Sequence, residues 1–480
     1  SDMSLSVLLV IILDTAWPRL ASFGLECRSL SMPQDQHGLA ITSASDAATR
    51  AYDHVVTGYL KYRADTPARM KALLEADGDM PMARVLQAAL TLLGYKASLL
   101  PAAREAAATA TRLAAKASAR EAAHAAAVTA WAAGDLDKAL AGWEAILRDH
   151  PHDILAFRLH HFNAFWMGRT GLMQRVVDGV YPQWTAALPA YGSILACRCF
   201  AHEECGNYQV AEESGRAAID LDPGDLWAAH AVAHVMEMQG RRGEGIAWLA
   251  GLEKHWEGAS NLSHHLWWHR AMYHLERAES EEVLALYDTG FRNLQSPLTE
   301  AAPDLYIDVQ NAASMLFRLQ RQGVNVGARW EELADKAEAR IGDCLSAFTL
   351  PHWMMALTAA GRFQAAARLL DGIRDAIAAG GTLAPILRDA ALPVCEAVLA
   401  HGQGDHARAV TVMRPAIGVM HRMGGSHAQQ DVLEQLFLDA AMKAGMLADA
   451  RLLLERVAGR HPVPPERRVG YASAAAAVMH

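Results

Sequence analysis

The chain has 480 residues, 52% of them hydrophobic and 20% charged, which excludes an intrinsically disordered protein and suffices to bury a large core. Lys and Arg total 44 against 53 Asp and Glu, a net charge of −9, and no basic block with interleaved aromatics occurs, so a nucleic-acid partner is not expected. The six cysteines are sparse, and Cys197, Cys199 and Cys205 lack the second half of a zinc knuckle, which speaks for reduced thiols.

In chain order, Leu5 to Leu13 is an apolar run too short to span a membrane and without a basic region ahead of it. Residues 1–32 are expected to be an extension, with Met32 a candidate natural start. No other segment is apolar for long enough to cross a bilayer, so the expected setting is cytoplasmic, with no membrane partner. Residues 33–465 read as one helical domain, because Ala, Leu, Glu, Arg and Met dominate and β-branched alternation is nearly absent. Ala102 to Ala133 is alanine-rich and suits closely packed helices.

A repeat recurs. Gly134, Gly206 and Gly445 each precede a proline (Pro151, Pro223, Pro462) by seventeen residues, with an amphipathic helix between. The glycine suits a close helix crossing or a left-handed turn, and the proline suits the start of the next helix. Units of this kind bury their apolar faces on one another and build a curved array. Residues 466–480 read as a C-terminal tail.

Polar side chains recur inside apolar helical sequence. His161 lies among Phe157, Phe162, Phe165 and Trp166. In Trp227 to Gly240, His230, His234 and Glu237 fall at i, i+4 and i+7, on one helix face. In Leu262 to Glu276, His265 and His269 share a face beside Trp267 and Trp268, which suit a cover over a site. Asp308 and Asn311 are three apart in Leu305 to Gln322, His352 follows Pro351 at a helix start, and Ser426 is set to cap a helix that begins at His427. Glu203 and Glu204, in HEECG, are weaker candidates. Phosphate loops, nucleophile elbows and dinucleotide fingerprints do not occur.

The repeat resembles the tetratricopeptide repeat, and the chain resembles the tetratricopeptide repeat protein 38 family. The resemblance is carried by GLAITSASDAATRAYD from Gly38, HAVAHVMEMQGRRGEGIAWL from His230, HHLWWHRAMYHLE from His264, DVQNAASMLFRL from Asp308 and GGSHAQQD from Gly424. It implies an all-α fold of TPR-like helical hairpins forming a curved or closed α-solenoid, and it implies no particular chemistry.

The function expected from these residues is binding of a small molecule in an internal His/Asp pocket, with acid–base or hydrolytic chemistry if the protein is an enzyme. His230, His234, His265, His269 and Asp308 are the candidate catalytic groups, Asp308 orienting one of the imidazoles. Glu237, Trp267, Trp268, Asn311, His352, His427 and His161 are the candidate pocket residues. The metal-free version is slightly favoured. In the alternative, a divalent Zn, Fe or Mn ion sits on His230, His234, Glu237, His265 and His269 and serves a hydrolase. The remaining alternative is a scaffold that binds a peptide or partner protein. A homo-oligomer is compatible with all three.

Overall fold

Helix-forming residues and glycine turns build hairpin after hairpin in the computed structural model, which describes residues 32–478. No strand occurs among the described residues, where Gln34–Ala40 and Arg63–Ala259 make isolated bridges. The extension expected over residues 1–32 lies outside the described residues apart from the exposed Met32. No helix among the described residues is long and apolar enough to cross a membrane.

The repeat glycines take the turn role. Gly134, Gly206 and Gly445 have φ of 85°, 80° and 69°. The residue after each glycine donates its N–H back to the helix just ended, as Asn207 does to the His202 carbonyl at 2.8 Å. This closes the last turn and frees the chain to reverse. The prolines differ from expectation. Pro151 and Pro223 sit in the turn ahead of the next helix, and that helix is started by an aspartate. Asp153 and Asp225 accept N–H bonds from Ala156 and Ala228, both at 2.9 Å.

Eight helices position the site: α1 (Asp46–Leu60), α2 (Ile154–Trp166), α3 (Tyr191–Glu204), α4 (Leu226–Met238), α5 (Leu262–Leu275), α6 (Tyr306–Arg321), α7 (Leu350–Ala359) and α8 (His427–Lys443). From α2 on, these are the inner helices. Every residue of α4 except Glu237 is buried, and every residue of α2 except Phe162. Their hairpin partners are outer helices. In Arg242–Leu252, which follows α4, only Gly245 and Leu249 are buried. Polar side chains on an inner helix therefore face other inner helices rather than water.

The array closes on itself. Ala97 donates to Asp343 Oδ2 at 2.8 Å across 246 residues, and Arg340 donates to the Tyr95 carbonyl at 2.8 Å across 245. Beside α2 the seam is backbone on backbone. A Cβ on Gly424 (φ 85°) would lie 2.5 Å from the Trp166 carbonyl oxygen, and one on Gly168 (φ 63°) would lie 2.0 Å from that of His421. Only glycine fits at such an approach. Residues 466–478, which the sequence suggests as a tail, pack onto α8. Tyr471 is 1% exposed and donates its hydroxyl to Asp431 Oδ1 at 2.6 Å.

Candidate functional site

Helices α4 and α5 lie side by side and bring their histidine pairs to one point. One ligand nitrogen from each of His230, His234, His265 and His269 lies within 4.8 Å of every other, and all four residues are buried. The Nε2 atoms of His230 and His234 are 2.9 Å apart. Ring centroids of His234 and His269 are 4.3 Å apart, and those of His230 and His265 are 4.9 Å apart. Nitrogens bound to one tetrahedral ion sit roughly 3.3 Å from each other, so small side-chain shifts bring the set into register.

The outer faces of two rings are held. His265 Nδ1 bonds Asn311 Oδ1 at 2.8 Å, and His269 Nδ1 bonds Glu237 Oε2 at 2.7 Å. Such partners fix a ring's orientation and leave Nε2 to point inward. His269 Nε2 is buried with no hydrogen-bond partner. The indole of Trp268 stacks on His265 at 5.1 Å and meets His269 edge-on. Burial pushes His265 and His269 down to about 3, and burial with neighbouring imidazoles drives His230 and His234 well below the usual histidine range. At neutral pH the site is four uncharged imidazoles, the form that binds a metal. Burial pushes the Glu237 carboxyl up to about 8, against the pull of Arg318.

A cavity of about 210 Å³ opens against the imidazoles. His230 and His265 form part of its wall, and aromatic rings from α1, α2, α4 and α6, among them Tyr59, Phe162, Trp227 and Tyr306, form much of the rest. Tyr59, Tyr62, Leu93, Ser260 and Asn261 also line a wider cleft beside it, so the two spaces share a wall. Gln429 of α8 completes the cavity lining.

Several expected roles change. Asp308 orients none of the four imidazoles. Its Oδ2 takes His264 Nδ1 at 3.0 Å and the Asn261 amide at 2.9 Å, and of the four rings the one held from this helix is His265, by Asn311. Glu237 lies behind His269, on the side away from the imidazole cluster, and so is not a fifth member of it. Trp267 stacks on His264 at 6.0 Å, away from the four rings; the indole against them is Trp268. His352 gives Nδ1 to the Phe348 carbonyl at 2.8 Å. His161 is buried beside Phe157 and Phe200, with neither ring nitrogen partnered. His427 is half-buried at the start of α8, where Ser426 and Gln429 cap the helix reciprocally.

Sequence reasoning underrates Glu203 and Glu204, at the end of α3. Both are buried, and Glu203 Oε2 lies 3.8 Å from His234 Nδ1. Tyr59 and Tyr62 carry no motif and reach the cavity only because the array closes. The signal for the glutamates is an acidic pair on a helix whose neighbours, Phe200 and Ala201, are fully buried.

No family model matches the chain. Among solved structures, it is similar to the human IFIT1 dimer with m7Gppp-AAAA at 11% identity and a TM-score of 0.40, over 92% of this chain and 96% of that one. It is similar to yeast Tom70 at 12% identity and a TM-score of 0.37, over 89% of this chain and 87% of that one. The complex of Naa15/Naa10 bound to HypK-THB is similar at 14% identity and a TM-score of 0.26, over 86% of this chain and 64% of that one.

Proposed function

We propose that this helical repeat protein binds a small molecule in the aromatic cavity and acts on it at a divalent transition metal held by His230, His234, His265 and His269. The observation that carries the reading is the convergence of four uncharged imidazoles at the wall of an aromatic cavity. The fit is supported by donor chemistry. Imidazole suits zinc and iron, two of the rings have outer nitrogens already tied, and the inward His269 Nε2 has no protein partner. This favours the metal-dependent version over the metal-free one. Four imidazoles fill a tetrahedral shell, so such an ion would supply Lewis-acid or bound-water chemistry by taking a fifth ligand from the cavity side, where His230 and His265 reach the wall, as suits hydrolytic or acid–base chemistry.

The chain's own groups divide the remaining work. Asn311 and Glu237 keep the His265 and His269 rings turned inward. Trp268 excludes water from one side of the rings. The rings of Tyr59, Phe162, Trp227 and Tyr306 favour a ligand with a flat or apolar body. His230 and His265, which reach the cavity wall, mark the side from which a ligand meets the site. We place the protein in the cytoplasm, on its sparse cysteines.

Elemental analysis of the purified chain is expected to find a transition metal, lost in His230→Ala and in His265→Ala while circular dichroism keeps its helical signal. A small-molecule thermal-shift screen is expected to yield a stabilising ligand. Ser260→Trp, which narrows the wall shared by cavity and cleft, should abolish that stabilisation and leave the metal in place. A chain that takes up no metal and is stabilised by no small molecule sinks this reading and leaves the scaffold.

A further inference from the structure

We propose that Glu203, Glu204 and the outer ring nitrogen of His234 hold a second divalent cation, so that His234 bridges two metal sites. The inference rests on the metal reading of the four imidazoles and extends it outward from His234. Ligand atoms of Glu203, Glu204 and His234 lie within 4.8 Å of one another, and all three residues are buried. Glu203 is 0% exposed, and its carboxyl oxygens have no donor beside them other than a proton shared with the adjoining Glu204 carboxyl. Glu204 Oε1 and His234 Nδ1 are likewise buried without other partners. The His234 ring thus presents its two nitrogens to two places. Nε2 lies 2.9 Å from His230 Nε2, inside the four-imidazole set, while Nδ1 faces Glu203 Oε2 at 3.8 Å. A fourth donor stands at the edge, where His427 Nδ1, also unpartnered, is 3.9 Å from Glu204 Oε2.

Two adjacent buried carboxyl groups repel each other when both are ionised, and orphaned buried oxygens are costly. Among the described residues their ion-pair partners are imidazoles, His234 and His427, and no Lys or Arg reaches either. A dication balances two carboxylates, and carboxylate oxygen with imidazole nitrogen is an ordinary donor set for zinc or manganese. On binding, any proton on the carboxyl pair and the remaining ring N–H proton of His234 pass to solvent. The imidazolate so formed binds one ion through each nitrogen. His427, half-exposed, marks the side from which the second ion arrives.

The test uses the full chain, stripped with a chelator and dialysed against zinc. About two zinc ions per chain are expected in the wild type and about one in Glu203→Gln/Glu204→Gln, whose amides keep side-chain size but lose the charge. Loading with copper(II) supplies a readout that needs no variant. Two copper ions sharing an imidazolate couple magnetically, so the spin count of the doubly loaded wild type should fall well below that of two isolated ions. One zinc per chain in both wild type and double variant overturns the second site, showing a carboxyl pair that shares a proton, and leaves the four-imidazole reading standing. Two copper ions with a full, uncoupled spin count overturn the bridge. Absence of zinc from the wild type overturns both readings.

Discussion

Asn311, which does not titrate, holds the outer nitrogen of His265, while the ring's inner side meets His230 and His269. Burial, with the His269 imidazole beside it, holds His265 at about 3 in the folded chain against the ordinary histidine value of 6.5. Below pH 6.5 the unfolded chain takes up a proton that the folded chain refuses. The stabilisation is complete above that pH and drains away as pH falls toward 3. In metal-free protein, lowering the pH from 6.5 to 5 should therefore cost about 2 kcal/mol through this residue. Urea unfolding at the two pH values should show a shallower loss in His265→Gln. His269 is less suited to the test, because Glu237 beside it is pushed the opposite way. The spacing of His230 with His234 and of His265 with His269 is legible in the sequence, because one helix sets it. The Asp308 pairing is not. Whether its carboxyl meets His264 or His265 depends on how α6 is rotated against α5, and no periodicity encodes that rotation.

Helix α8 illustrates how an element's start governs the cavity. Ser426 Oγ accepts the Gln429 N–H at 3.2 Å, and Gln429 Oε1 accepts the Ser426 N–H at 3.0 Å. Gln429 is also a cavity residue. Ser426→Ala should cost about 1 kcal/mol of stability in denaturant unfolding, since the Gln429 N–H loses its acceptor, and leave ligand binding nearly unchanged, because the backbone N–H that holds the Gln429 side chain remains. The cap is legible because Ser-His-Ala-Gln follows a glycine pair. The positions of Pro151 and Pro223 are not, because the aspartates two residues further on compete for the helix start and win by accepting N–H bonds that proline cannot satisfy. The hairpin repeat itself is the most legible feature, being carried by turn glycines whose left-handed φ no other residue adopts as readily.

At the scale of the whole molecule, the seam between α2 and the loop before α8 completes the ring of helices. Gly424→Ala would place a methyl group against the Trp166 carbonyl and add left-handed strain, with an expected loss of roughly 1–2 kcal/mol in thermal or urea unfolding. Hydrogen exchange should rise on both sides of the seam if the ring opens there. Closure is the least legible property of the chain, because it sums small rotations at every hairpin. It also bears on synthesis. Contacts between residues 95 and 340, or 97 and 343, cannot form until most of the polypeptide has left the ribosome. The histidines of α4 and α5 emerge well before Gln429 and His427, so the nascent chain carries its imidazoles in an unwalled gutter. Only the arrival of the last hairpins turns that gutter into a chamber, which defers ligand selection to the finished protein.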